Sequence, residues 1–425
     1  MKRNMKEEFI YYLWENRLLS LDLKTTEGES ITIISVGNRN YDSGADFVNA
    51  RIKIGGTLWA GQVEIHVLAS DWFKHKHQYD DNYNNVILHV VYECDTDKLK
   101  IPTLEVKDKF DVSLLHNYNV FVNSKSWIPC GEFISGVHSF TITSWLDRML
   151  VEHLENECKN LDFKLRNNNY NWEQAFYQRF TRYFGMKVNN DSFEYLSRLL
   201  PLNLLLKHID NEVYVESMMF GCAGFLEKDF DEDYPNLLKR DFKMLKNKFG
   251  LKVMPVTNWK FLRLRPPNFP TIRIAQLAKI IVNNGSLFSK IRDADDLSEI
   301  KKLFDVELSP YCDNHFQFDK VSNVEKRKTF GKMAADSVLI NAVVPMLFLY
   351  GQFHSLESYK EKAMTYLEQI EAEDNVVIRN FNNCSVVLQN AFQTQAALFM
   401  YKYYCRRRRC LECRIYLLLS KRNSS

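Results

Sequence analysis

The sequence has no long apolar run. Its longest, Val338 to Tyr350, is interrupted by Asn341 and Pro345. That stretch is too short to span a bilayer and reads as a buried helix. The opening Met-Lys-Arg-Asn-Met-Lys-Glu-Glu leads into an amphipathic segment with no clean apolar core, which argues against a secretory signal. There is no Walker pattern, no Gly-x-Gly-x-x-Gly and no Gly-x-Ser-x-Gly, so neither the common phosphate loops nor a hydrolase elbow accounts for this chain. Internal repeats and low-complexity tracts are missing. So is a strong charge excess: a net +3 over 425 residues is too little for a dedicated nucleic-acid coat, although it leaves room for a local basic patch. Nine cysteines, an odd number, occur without an export signal. The expectation is a cytoplasmic protein with mostly free thiols and no membrane association.

What is present is enough for a sizeable core. Apolar residues make up 46% of a chain long enough for two or three domains. Residues 5–20 have helical spacing. Ile31–Val36, Phe47–Ile54 and Leu58–Val67 alternate with period two, and Gly55-Gly56 reads as a hairpin turn between the last two. Ser70-Asp71 opens a predicted helix to about Asn84. Val86–Tyr92 is almost wholly apolar, as for a central strand covered on both faces. The predicted order is helix, three strands, helix, strand, in a mixed α/β sheet. Short strands and loops are expected from 95 to 137. From about 140 onward helical periodicity dominates, over 142–165, 172–185, 192–208, 236–249, 271–283, 296–304, 330–350 and 356–371. Three prolines in Trp259–Pro270 force an extended wall. The domains are thus read as 1–125 (α/β), 126–400 (mainly helical) and 401–425 (rich in cysteine and arginine).

The chemistry gathers between Gly44 and His89. On the third strand Glu64 and His66 share a face, because strand side chains alternate. The Gly55-Gly56 hairpin returns Asp46 beside Glu64. Two adjacent carboxylates make an oxygen-rich site for Mg²⁺ or Mn²⁺. His66 would sit beside a metal-bound water, protonated or as a ligand, with His75 and His77 in support. Lys53 is a second source of positive charge. His89, inside an apolar strand, reads as a core histidine. Asp46, a hairpin, then Glu64-Ile65-His66 within this element order resembles the PD-(D/E)XK nuclease superfamily, with Ala45 at the motif's proline and His66 at its lysine. That resemblance implies a restriction-endonuclease-like fold and metal-dependent phosphodiester hydrolysis. Gly44–Ile52, Gly61–His66, Ser70-Asp-Trp72, Tyr83–Val91, Trp259–Arg273 and the terminal cysteines look like a bacterial family common in Bacteroidetes, domain of unknown function 2851. The likeness runs nearly end to end.

Cys405-x4-Cys410-x2-Cys413 is a spacing for a soft metal, either zinc or the first three ligands of an iron–sulfur site, with Cys130, Cys384 or His354 as the fourth. Arg263, Arg265 and Arg273 interleave with Trp259, Phe261 and Phe269. Arg406 and Arg407 belong to a four-arginine run. Both groups suit DNA or RNA. The function expected is a metal-dependent nuclease. The alternatives are a non-catalytic nucleic-acid-binding or scaffold protein and a zinc-dependent hydrolase.

Overall fold

The computed structural model describes residues 5–40, 44–262, 264–323 and 325–422. Two compact units emerge. The first comprises the chain up to Asp147 with Asn375–Val387 and the segment from Ala397; the second comprises Arg148–Asp374 with Leu388–Ala396. These differ from the boundaries read from sequence. The terminal segment belongs with the α/β region because its helix, Arg414–Arg422, is anchored there. Tyr12 Oη and Ser420 Oγ lie 2.8 Å apart, and the Tyr416 ring packs against Tyr12 and Phe121.

Unit 1 begins with α1 (Glu7–Glu15), which buries Phe9, Ile10, Tyr12, Leu13 and Trp14 and carries Glu7 and Glu8 in its first turn, where the helix dipole favours negative charge. A mixed sheet follows, with strands β1 (Leu23–Lys24), β2 (Ser30–Ser35), β3 (Asn38–Arg39), β4 (Phe47–Ile54), β5 (Thr57–Leu68), β6 (Val86–Glu93) and β7 (Thr103–Glu105). Their order is β1-β2-β4-β5-β6-β7, with β3 beside β4. β2, β4 and β5 run antiparallel, whereas β5, β6 and β7 are parallel. Gly55 and Gly56 both take positive φ, as a two-residue hairpin turn requires. β6 is buried along almost its whole length between two strands.

Two local departures from regularity matter. β4 carries a bulge between Phe47 and Ala50, with Asn49 at φ 60°. The extra residue lets Phe47 and Ile52 both face the core although their numbers differ in parity. The expected helix 71–84 is also not formed. The four-residue α2 (Asp71–Lys74) stops because Lys76 adopts a left-handed φ of 63°, and two short 3₁₀ turns, His77–Tyr79 and Asp81–Tyr83, complete the crossover. Residues 95–137, expected as short strands and loops, hold a further helix, α3 (Val112–Asn123), capped by Asp111 accepting from the Ser113 amide.

Unit 2 is mainly helical. Its helix Lys332–His354 is long and apolar enough to cross a membrane by length and composition, longer than the sequence suggests, but most of it is buried within the protein. A π-turn at Leu339–Val343 accommodates Pro345. Proline has no amide hydrogen for the Asn341 carbonyl. Arg179 Nε supplies one at 2.7 Å, and its guanidinium pairs with Glu157.

Candidate metal centre

The register places the chemistry. Phe47 pairs with Val63, which sets Asp46 beside Glu64, and Glu64 pairs with His89 on β6. Three neighbouring strands therefore bring two carboxylates and a histidine together, and His66 follows two positions along β5. The Asp46 amide donates to Glu64 Oε2 at 3.1 Å. The Ile65 amide donates to Asp46 Oδ2 at 2.9 Å, and Tyr11 Oη to Asp46 Oδ1 at 2.9 Å. Both Asp46 oxygens are thus held by α1 and β5. The side chain expected as a metal ligand also braces the hairpin mouth.

Glu64 Oε1 faces the histidines. It lies 3.5 Å from His66 Nε2 and 3.3 Å from His77 Nε2. His66 Nε2 also meets His75 Nδ1 at 3.1 Å. Among the described residues, His66, His75 and His77 can each offer a ligand atom such that all three lie within 4.8 Å of one another. Their convergence depends on Lys76. In an unbroken helix, residues two apart point about 200° apart, so His75 and His77 would diverge. The left-handed turn between them folds both onto His66. His77 Nε2 is buried and accepts or donates no hydrogen bond. The pocket opens outward through His75, which is exposed.

Burial governs the protonation states. Burial, reinforced by the neighbouring imidazoles and Lys74, pushes His66 down to about 2, so the ring is neutral. Of the two roles open to it from sequence, a neutral ring fits that of ligand. His89, fully buried, places Nε2 2.9 Å from His66 Nδ1. A proton on His66 Nδ1, donated there, leaves Nε2 with a lone pair facing Glu64. His89 is a core histidine, bonded to His66. Burial first, then Asp46, pushes Glu64 up to about 9. Buried, closely spaced carboxylates of this kind call for a compensating cation.

Sequence reasoning missed three participants. Glu7 on α1 is raised to about 7, by burial first and then Asp46 and Asp71. Tyr11 lies one turn on, with Arg39 stacked on its ring at 4.8 Å. Lys74 bears electrostatically on both Glu7 and His66. The helical spacing of residues 5–20 was visible, but nothing marked its polar side as facing a hairpin 35 residues away. Lys53, by contrast, pairs with Leu58 near the hairpin turn. Seven residues of strand put it roughly 20 Å from Asp46, too far to serve the site. Beside His77 a cavity of about 410 Å³ is lined by Trp72, Phe73, His77, Tyr83, Lys98 and Lys100, among others.

The expected arginines divide. Arg273 is buried, donates to Asn268 and Gln276, and lies over the Phe330 ring, so it is a core residue and cannot meet a nucleic acid. Arg265 is exposed, as are Arg406 and Arg407. Arg263 lies outside the described residues. No curated protein and no solved structure matches the chain. A family model described as a protein of unknown function, DUF2851, matches residues 7–376, and the chain belongs to that family.

Proposed function

We propose that unit 1 is a divalent-metal-dependent phosphodiesterase acting on nucleic acid, built on a restriction-endonuclease-like core. The observation that carries this reading is the convergence of His66, His75 and His77 with Glu64 Oε1 on one small volume beside Asp46. Three imidazoles and a carboxylate favour a borderline ion such as Zn²⁺ or Mn²⁺ over Mg²⁺. The orphaned, buried Nε2 of His77 fits such a ligand set. Bound there, the ion would supply Lewis acidity and a water acidic enough to attack phosphorus.

The protein's own groups do the rest. His89 holds the His66 tautomer. Tyr11 and the Ile65 amide fix Asp46, and Asp46 in turn fixes Glu64 through its amide. Lys74, exposed at the edge of the site, is placed to meet a phosphate oxygen. The cavity beside His77 offers Lys98 and Lys100 for the backbone, and Tyr83, stacked on His77 at 3.8 Å, for a base. Antiparallel β4–β5 feeding parallel β6, with Asp46 and Glu64 side by side, also supports the superfamily likeness.

The test is cleavage of single- and double-stranded DNA and RNA by the purified protein, with Mn²⁺, Zn²⁺ or Mg²⁺ added after chelation. Mn²⁺ or Zn²⁺ is expected to restore cutting, and His66→Ala and Glu64→Gln to reduce it at least about 100-fold. The histidines also favour the second reading, a zinc hydrolase of another substrate. Tight Zn²⁺ binding lost in His77→Ala, with no nucleic acid cut under any metal, would select it.

A further inference from the structure

The donors of the candidate metal centre are recessed. His66 is 2% exposed and Glu64 5%. The His77 side chain keeps 10% of its surface, and its buried Nε2 has no hydrogen-bond partner. His77 also lines the cavity of about 410 Å³, so the histidine trio and the cavity share a residue. A substrate held in the cavity therefore stands beside the centre.

Two segments form the cavity: the crossover from α2 to β6 and the loop from β6 to β7. Each brings a different chemistry. The crossover supplies Trp72, Gln78, Tyr83 and Asn84. Tyr83 lies on the His77 ring at 3.8 Å and meets the Trp72 ring edge-on at 5.9 Å, so its orientation is set before any ligand arrives. Asn84 spends its amide nitrogen on Asp81 at 2.9 Å, which leaves its carbonyl oxygen to accept. The loop supplies Lys98 and Lys100, both exposed. A fixed aromatic ring, carboxamides and two cations match the three parts of a nucleotide: the face of the base, its polar edge and its phosphate. Ligand pockets span about 300–1,000 Å³. A cavity near the lower end admits one nucleotide and excludes a stack of base pairs.

We infer that this cavity is the subsite for one unstacked nucleotide, and that the substrate class is single-stranded nucleic acid. The inference rests on the phosphodiesterase reading of the centre beside it. Recession of the donors points the same way. A duplex carries its phosphates on a stiff rod, with a persistence length of about 50 nm, and its bases are paired and stacked. To lower one phosphate to donors this deeply buried it must first unpair and unstack a nucleotide. A single strand turns a base out without unpairing anything, so the same contacts are reached at less cost.

The test is fluorescence anisotropy of the full chain in chelator, with a labelled single strand of about ten nucleotides and a blunt hairpin duplex of the same sequence, each as DNA and as RNA. The single strand, in either sugar, is expected to bind at least about 10-fold tighter than the duplex. Tyr83→Ala should weaken it roughly 10- to 100-fold, the loss of one stacked base. Tyr83 also supports His77, so the exposed pair Lys98→Ala with Lys100→Ala gives a second readout. At about 0.7 per phosphate contact, the slope of log K against log salt should fall by about 1.4. Lys53→Ala, near the hairpin turn, should change neither affinity nor slope. A duplex bound as tightly as the single strand, or a salt slope unmoved by the double lysine variant, would overturn the subsite. Because chelator removes the metal, the two readings fail separately. The expected binding with no cutting under any metal upholds the subsite and overturns the phosphodiesterase; metal-dependent cutting of duplex as fast as of single strand does the reverse.

Discussion

Glu64→Gln tests the electrostatics of the centre before any substrate is known. In metal-free protein Glu64 has a pKa of about 9, against an ordinary value of 4.5, with burial the main cause and Asp46 the next. Folding therefore draws a proton onto this carboxyl. Its contribution to stability is complete below pH 4.5, falls as pH rises, and is gone once pH passes the folded value. Glu7 and Glu216 are raised only to about 7. Above that pH Glu64 remains, together with its neighbour Asp46, which burial also raises, until the thiols begin to ionise. From pH 7 to 8.5 the loss is at most about 1.4 kcal/mol per pH unit, or about 2 kcal/mol in all. For a domain of this size that is roughly 4–8 °C in Tm. Glutamine keeps the shape and cannot ionise, so it removes the slope. The assay is thermal melting in chelator across that range, read as wild type minus Glu64→Gln so that other titrations cancel. Saturating Zn²⁺ or Mn²⁺ should abolish the wild-type slope, because the cation replaces the proton. Parallel curves for the two proteins would refute the argument.

Three further outcomes follow from the geometry. Lys76→Gly should leave stability unchanged or raise it by up to about 1 kcal/mol, whereas Lys76→Val, which resists left-handed backbone, should cost about 1–2 kcal/mol and weaken metal binding; calorimetric metal titration beside melting curves separates the two. Tyr11→Phe should lower turnover while leaving metal content intact, since Asp46 loses an orienting donor and no ligand is removed; metal lost in this variant would make Asp46 itself a ligand. Arg179→Ala should cost about 2–4 kcal/mol in urea unfolding, because it orphans the Asn341 carbonyl and takes the paired guanidinium from Glu157, and less in a Pro345→Ala background that restores the helical donor.

Periodicity made much of the fold legible. Each long helical run read beyond residue 140 corresponds to one or more helices, and where 192–208 splits in two the break is at Pro201. The N-terminal mixed sheet was visible in the alternation of Phe47–Ile54 and Thr57–Leu68 and in the Gly55-Gly56 turn. α3 was not, because the exposed Val112 and Val120 blur the stripe of Leu114, Leu115, Tyr118 and Phe121 that it buries. The candidate site was legible as a neighbourhood and not as an arrangement. Strand parity put Glu64 and His66 on one face. It could not show that Asp46 spends both oxygens on Tyr11 and Ile65, because one donor comes from a helix far away in sequence. Nor could it show Lys76 in a left-handed turn: lysine carries no propensity for that conformation, and the tertiary pull of three imidazoles on one pocket does not appear in a window of residues. The spacing of the terminal cysteines was plain in the sequence.

On the proposed reading, the histidine at the lysine position changes the kind of metal this hairpin would hold. A lysine after the glutamate would add a positive charge next to two carboxylates and leave the cation to oxygen ligands, conditions that suit Mg²⁺. His66 is too deeply buried to carry that charge, so on the proposed reading much of the balance against Asp46 and Glu64 would come from the metal. The same burial leaves a neutral nitrogen pointing at Glu64. His75 and His77 bring their own ring nitrogens to His66, held there by a backbone conformation that lysine adopts only at a cost of about 1 kcal/mol or more. Strain of that size at a solvent-exposed turn persists when something downstream depends on it. Here what depends on it is the convergence of His75 and His77 on His66, and with it, on the proposed reading, the preference for an ion that binds imidazole.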